Sequence, residues 1–336
     1  MLQLAQFTLT RAVFAVITLL MVSFIVFTLM ELVPANCAER YVAWKNTQGE
    51  QITVEDIRAE EERLGLDRPY IQRWAMWVSN VFFRGDFGNS CILRVSINQL
   101  LGQKIWLSLG ICLTALLIAY LIAIPVGMIS ATVAAPTLNN SLRLVSYLGL
   151  ALPNFLLALM IMLFSTLFFG DTLTGLFSKE FRDAPWSLDR LIDFLSRAWL
   201  PVFILGWSAT AFALQTVRAL ISDEYGKLYV TAARARGVFG RRLLWRYPAR
   251  HALGPIVNSL GFDLNRVFNE LPIVAVILTL TEAGALLLDS LARSNDQQLA
   301  GAIIFMLTAA IVSLNFFTDV LLALIDPRIR KSVMGG

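Results

Sequence analysis

Six long apolar runs constrain this chain more than any other feature: residues 10–33, 105–127, 144–169, 199–221, 256–280 and 299–325. A run of about 20 apolar residues can cross a hydrocarbon core of roughly 30 Å as a helix. Inside that core every backbone N–H and C=O needs an internal partner, which leaves helices or closed barrels. Barrel strands are about 10 residues long and alternate in polarity; these runs are longer and do not alternate. The expected fold class is therefore all-α, a polytopic membrane protein with six transmembrane helices. Composition agrees: of 336 residues, 57% are hydrophobic and 15% charged. The mean hydropathy of +0.65 is more than a soluble domain needs.

Lys227, Arg234, Arg236, Arg241, Arg242, Arg246 and Arg250 crowd into the loop 222–255, opposed by Asp223 and Glu224. A basic loop between two spans faces the cytoplasm. With six spans both termini then face the cytoplasm too, in keeping with Arg11, Arg328, Arg330 and Lys331. The net charge of +4 comes largely from this loop. Orientation and lipid contact account for it; no soluble domain accompanies it that would suggest nucleic-acid binding. The first run is too long for a signal peptide, and Glu31, Val33, Pro34 and Asn36 make a poor cleavage site, so a retained anchor is expected.

The basic loop carries helix signals of its own. Ser222 or Asp223 can cap a start, acids occupy the first turn, Arg234 and Arg236 come late, and Gly237 follows. A helix over 223–237 is expected, placed for a soluble partner to grip.

Residues 34–104 form the largest piece outside the runs. Thr53 and Asp56 have capping-box spacing, so a helix over 54–64 stopped by Gly65 is expected. Asp67 and Pro69 can open another, with Tyr70, Trp74, Trp77, Val78, Val81 and Phe82 on one face. Such a face suits either the membrane interface or packing onto the bundle. A second outer loop, 170–198, holds Trp186 and mixed charges and can carry another surface helix. Three domains of organisation follow: 1–33, the outer region 34–104, and a five-helix core 105–336 that includes the loop 222–255.

Cys112 falls inside the second run and reads as a small core residue. Cys37 and Cys91 both fall in the outer region, where an oxidising setting would let them bridge; two separate thiols is the other reading. Catalytic chemistry is not indicated. His251 is the only histidine, and no Gly-x-x-x-x-Gly-Lys-Ser/Thr pattern occurs. No catalytic residue, metal site or cofactor is assigned to this chain.

The fifth run is unusually polar. Ser259, Asp263, Arg266 and Glu270 recur on one helix face, with Asn258, Asn265 and Asn269 on the neighbouring stripe. Each charge at membrane depth costs about 2.5–3.5 kcal/mol unless paired or hydrated. Asp263–Arg266 and Arg266–Glu270 are spaced to pair. The stripe reads either as an ion-pair ladder at a subunit seam or as the wall of a water-filled pathway.

Several short motifs together make the chain similar to the membrane permease subunits of the oligopeptide/dipeptide/nickel class of bacterial ABC importers. Thr231-Ala-Ala-Arg-Ala-Arg-Gly237, preceded by Tyr229-Val230, resembles their cytoplasmic loop signature. Arg250-His-Ala-Leu-Gly-Pro255, Leu64-Gly-Leu-Asp-Arg-Pro69, Gly85-Asp-Phe-Gly88, Leu148-Gly-Leu-Ala-Leu-Pro153 and Asp326-Pro-Arg-Ile-Arg330 extend the match nearly end to end.

The resemblance implies a type I ABC importer permease in a bacterial inner membrane. It implies a second homologous permease, two cytoplasmic ATPases that hold ATP and Mg, and a periplasmic substrate-binding protein as partners. Asp223, Glu224, Tyr225, Tyr229, Thr231, Ala232, Ala233, Arg234, Arg236 and Gly237 would form the ATPase-coupling segment. Ser259, Asp263, Asn265, Arg266, Asn269 and Glu270 would line the substrate pathway.

Two places depart from the family pattern. Asn269-Glu270 stands where small residues are usual, and Leu280-Thr-Glu-Ala-Gly284 replaces a Trp-Pro-Gly-Leu-Gly-like piece. An oligopeptide or dipeptide is the implied substrate. An oligosaccharide, sugar-phosphate conjugate or nickel chelate fits the polar stripe as well. A passive channel or scaffold is the alternative of another class; an intramembrane hydrolase lacks a histidine at membrane depth.

Overall fold

A computed structural model describes residues 2–32, 36–49, 53–132, 136–170, 174–182, 184–280, 283–292 and 296–325. The terminal motif Asp326 to Arg330, Lys331, and Val33, Pro34, Thr281 and Glu282 lie outside them. Among the described residues the structure is helical, without strands. The helices are α1 (Leu2–Leu32), α2 (Cys37–Thr47), α3 (Val54–Leu64), α4 (Tyr70–Arg84), α5 (Ile97–Thr132), α6 (Pro136–Ala151), α7 (Asn154–Phe169), α8 (Leu188–Tyr225), α9 (Leu228–Ala235), α10 (Gly240–Arg246), α11 (Pro248–Ile277), α12 (Ala283–Ala292) and α13 (Gln297–Ile325).

Four of these, α1, α5, α8 and α13, are long and apolar enough to cross a membrane, and α6 with α7 makes a fifth if the pair is one span. The third apolar run is therefore not one straight helix: α6 and α7 meet at 95°. Pro153 is the cause. It has no N–H for the helical ladder, and it pushes Leu152 out of the helical region. The fifth run lies in α11, which is long enough at 30 residues but carries Arg250, Asp263, Arg266 and Glu270.

The chain divides into two units, residues 1–11, 109–280 and 314–336, and residues 12–108 and 281–313. In the first, α8 is the central post: α6, α7 and α11 all pack on it. Small residues allow the close approach. A Cβ at Gly149 of α6 would stand 2.6 Å from the Ala211 Cβ, and one at Gly127 of α5 would stand 2.8 Å from Val217 Cγ1.

In the second unit, α4 turns its aromatic face onto α1. Trp74 stacks edge-on with Phe24 at 5.4 Å, Tyr70 lies 5.4 Å from Phe27, and the Trp74 indole donates to Ser23 Oγ at 3.3 Å. Of the two readings open for this face, packing describes Trp74 and Trp77, which also meets Phe305 at 5.4 Å. Thr53 caps the start of helix α3, and its N–H and hydroxyl both donate to Asp56 at 2.9 and 2.8 Å. Those bonds, the backbone one first, hold the Asp56 carboxyl below its usual range. Gly65 ends α3 in the left-handed region at φ 65°.

The sulfur atoms of Cys37 and Cys91 are joined, with Cα atoms 5.4 Å apart. The turn bearing Cys91 is also held by Asp296, a carboxylate that is 1% exposed. It accepts from Ser90 Oγ, from the Ile92 N–H at 3.4 Å and from the Leu299 N–H at 3.0 Å, the last of which caps α13. Cys112 is buried and takes no part in a disulfide.

Candidate functional site: a loop helix and a polar span

The loop 222–255 holds two short helices instead of one. Asp223 and Glu224 do not start a helix; they are the last turn of the 38-residue α8. The chain breaks at Gly226, and Lys227 in extended conformation opens α9. The break is tied by charge. Lys227 donates to Glu224 and lies 3.4 Å from Asp223, and the Tyr229 hydroxyl donates to Glu224. The bond to Glu224 raises the Lys227 pKa, while burial and then the same carboxylate raise that of Tyr229. Each proton is thereby held in place.

Below α9, Val230 and Ala233 are buried against Leu243 of α10, with Tyr225, Tyr229, Val238 and Tyr247 packed around them. Ala233, expected among the coupling residues, therefore anchors the helix from beneath. Thr231, Ala232, Ala235, Arg236 and Gly237 are exposed. Arg234 lies over the Tyr225 ring at 4.4 Å, and His251 stacks beside Tyr229 at 4.9 Å. Gly237 ends α9 at φ +80°, donating to Arg234 O at 2.9 Å, and Val238 donates to Ala233 O at 3.1 Å. This is the paired terminus that a left-handed glycine permits.

The polar residues of α11 separate into two faces. Asp263 is turned inward and is 1% exposed. It accepts from the Tyr120 hydroxyl of α5 at 2.9 Å and from Arg266 Nη2 at 3.0 Å. Tyr120 also meets Ser259 Oγ at 3.1 Å. Arg266 donates again to the Ser208 carbonyl of α8 at 3.2 Å, and its guanidinium lies 4.8 Å from the Phe212 ring centre.

The expected ladder is only half formed. Among the described residues no ion pair joins Arg266 to Glu270. Glu270 instead accepts from Asn154, the first residue of α7, which donates at the same time to Ser208 Oγ at 3.0 Å. A carboxylate thus sits where the broken span restarts, at the positive end of a helix.

The asparagines form the neighbouring stripe, with Asn269 about 60° and Asn258 about 80° around the helix from Arg266. At 3.6 residues per turn Asn265 lies about 200° around the helix from Asp263. Asn258, Phe262 and Asn269 are exposed and Asn265 is half-buried. Asn258, Phe262 and Asn265, with Asn315, Thr318 and Asp319 of α13, line an open cavity of about 230 Å³. Asn265 itself donates back to Gly261 O at 3.0 Å.

Tyr120, Asn154, Ser208 and Phe212 complete the inner network and were not singled out from the sequence. The signal existed: a tyrosine in an apolar run, and a proline-asparagine pair that interrupts one, are polar groups that need a partner at membrane depth. No group of metal-ligating side chains occurs among the described residues.

Comparison with known proteins supplies the context. The family model described as "Binding-protein-dependent transport system inner membrane component" matches residues 123–331, and the N-terminal model of the same systems matches residues 4–97. The oligopeptide transport system permease protein AppB of Bacillus subtilis is 25% identical over 97% of this chain and 100% of its own length. The nickel import system permease protein NikB of Staphylococcus aureus is 24% identical over 95% of this chain and 90% of its own. The peptidoglycan transport system permease protein YejB of Agrobacterium fabrum is 29% identical over 85% and 78%. Among solved structures, a chain of the inward-facing MetNI methionine ABC transporter superposes with a TM-score of 0.55 at 15% identity, covering 68% of this chain and 97% of that one.

Proposed function

Because the chain belongs to the family of binding-protein-dependent transport system inner membrane components, we propose that it forms half of a pathway driven by separate ATPases through α9. It is an inner-membrane permease subunit of an ABC importer, a transport subunit and not the ATPase. The finer reading is ours: a second, similar permease completes the pathway, two ATPases that hold ATP and Mg sit on the cytoplasmic side, and a periplasmic binding protein delivers the substrate. Both termini and the loop 222–255 face the cytoplasm, and the outer region with the Cys37–Cys91 bridge faces the periplasm.

The observation that carries this reading is the construction of α9. An eight-residue helix held from below by Leu243, and at its start by Glu224, leaves Thr231, Ala232 and Arg236 outward on a rigid post. Because α8 runs unbroken from Leu188 to Tyr225, a push on α9 has a stiff path toward the inner network at Ser208. The substrate in this reading is an oligopeptide or dipeptide, supported by the names of several relatives. Its path runs along the exposed asparagine face of α11, with Arg266 at the edge. Uncharged amides bind peptide groups weakly and in any register, which passage requires.

Cross-linking from a cysteine at Thr231 tests the coupling contact. In the assembled complex it should reach an ATPase subunit in a nucleotide-dependent yield; a yield of zero in every nucleotide state removes α9 from that role. The ligand retained by the associated binding protein decides the substrate. A sugar there, in place of a peptide, would replace the peptide reading with the oligosaccharide one.

A further inference from the structure

The coupling role of α9 leaves α10 unused. Its seven residues, Gly240–Arg246, form a two-faced helix. Leu243 is buried beneath α9 and Leu244 is half-buried. At 100° per residue, Arg241, Arg242, Trp245 and Arg246 cluster on the opposite side, and all four are exposed. Phe239, just before the helix, is 67% exposed and Trp245 is 60% exposed. Arg250 adds another exposed cation at the start of α11. Among the described residues none of these four arginines forms an ion pair. The patch thus presents four cations and two large aromatic rings with no acid to balance them.

We propose that α10 with Arg250 is a docking site for anionic phospholipid headgroups of the adjoining leaflet. The inference rests on the cytoplasmic placement of this loop proposed above. Three features favour a lipid surface over a protein one. Arg250 precedes Ile256, the start of the apolar part of α11, by about 9 Å of helix. The headgroup layer takes up about 5–7 Å of that, so the charge stands within a Debye length of the lipid phosphates. Tryptophan and arginine on one face is the composition of an interfacial helix, the rings seated at headgroup level and the guanidiniums on phosphate. Finally, Leu243 and Leu244 take up the inner side of α10, so its outer face is free to lie along a plane. Seated this way, α10 would brace α9 against the membrane while the ATPase pushes from the other side.

Each arginine near an anionic leaflet contributes about 1 kcal/mol. Removing three should therefore weaken retention of anionic lipid on the order of a hundredfold at low salt. The test is native mass spectrometry of the full-length chain titrated with phosphatidylglycerol or phosphatidylcholine. The wild type should retain phosphatidylglycerol preferentially, and R241Q/R242Q/R246Q should lose that preference. R68Q/R84Q, two arginines of the outer region, should keep it. Equal retention by wild type and the triple variant overturns the proposal, as does an equal loss in R68Q/R84Q. If the triple variant keeps its lipid but no longer assembles with the ATPases, the face belongs to them and the proposal fails. Orientation is checked separately with R242C and a membrane-impermeant maleimide on intact cells. Labelling from outside overturns the cytoplasmic placement, whatever the titration gives.

Discussion

Replacing Arg266 with alanine isolates the energetics of the inner network. Asp263 is 1% exposed and has two partners, Arg266 at 3.0 Å and Tyr120 at 2.9 Å. Removing one partner of a buried ion pair costs about 3–5 kcal/mol, because the other charge is stranded. Here two facts pull the value to the low end. The Arg266 side chain is 29% exposed, so part of its charge is already solvated, and Tyr120 still donates to the carboxylate. A loss of about 3 kcal/mol is expected for Arg266→Ala. Asp263→Asn in the same background removes the stranded charge while leaving an acceptor for Tyr120, and should restore about 2 kcal/mol of it. The assay is a double-mutant cycle on the purified full-length chain in mixed micelles, unfolded by increasing the mole fraction of sodium dodecyl sulfate. A loss within about 0.5 kcal/mol for Arg266→Ala, the range of an ordinary surface change, would refute the reasoning. So would an Asp263→Asn change that makes matters worse.

Other outcomes follow from single contacts. Gly237→Val should lower substrate-stimulated ATPase activity in the assembled complex while leaving membrane insertion intact, because the φ of +80° resists a β-branched side chain although no atom lies within 4 Å; activity equal to wild type removes the strain argument. Gly149→Val should reduce folded yield, measured by size-exclusion chromatography, because even a Cβ there would sit 2.6 Å from Ala211. Glu270→Ala leaves the amide of Asn154, itself 3% exposed, short of an acceptor and should cost about 1–3 kcal/mol in the same unfolding assay. Non-reducing mass spectrometry of peptides from the outer region should recover Cys37 linked to Cys91, and alkylation of both in unreduced protein would count against the bridge.

Much of this protein is dictated by its sequence alone. Apolar runs of membrane length force helices, because hydrocarbon offers the backbone no partners. Turn chemistry is equally local: Gly65 and Gly237 end α3 and α9 in the left-handed region, as glycine placement announces. The loop motif around Thr231 likewise carries the family without any knowledge of packing.

What the tertiary structure decided is where each polar group points and what answers it. Periodicity puts Asp263, Arg266 and Glu270 on one face of α11, but it does not say whether that face meets water or protein. Tyr120 of α5 and Asn154 of α7, 143 and 116 residues away in sequence, answer two of them, and the pathway reading shifts to the adjoining asparagine stripe. The split of the loop helix at Gly226 has the same origin. Its capping signals around Ser222 and Asp223 are real, but α8 gains more by running on to Tyr225 with Val217 and Ile221 buried. Short-range preference is worth tenths of a kcal/mol per residue, and burial along a long helix outweighs it.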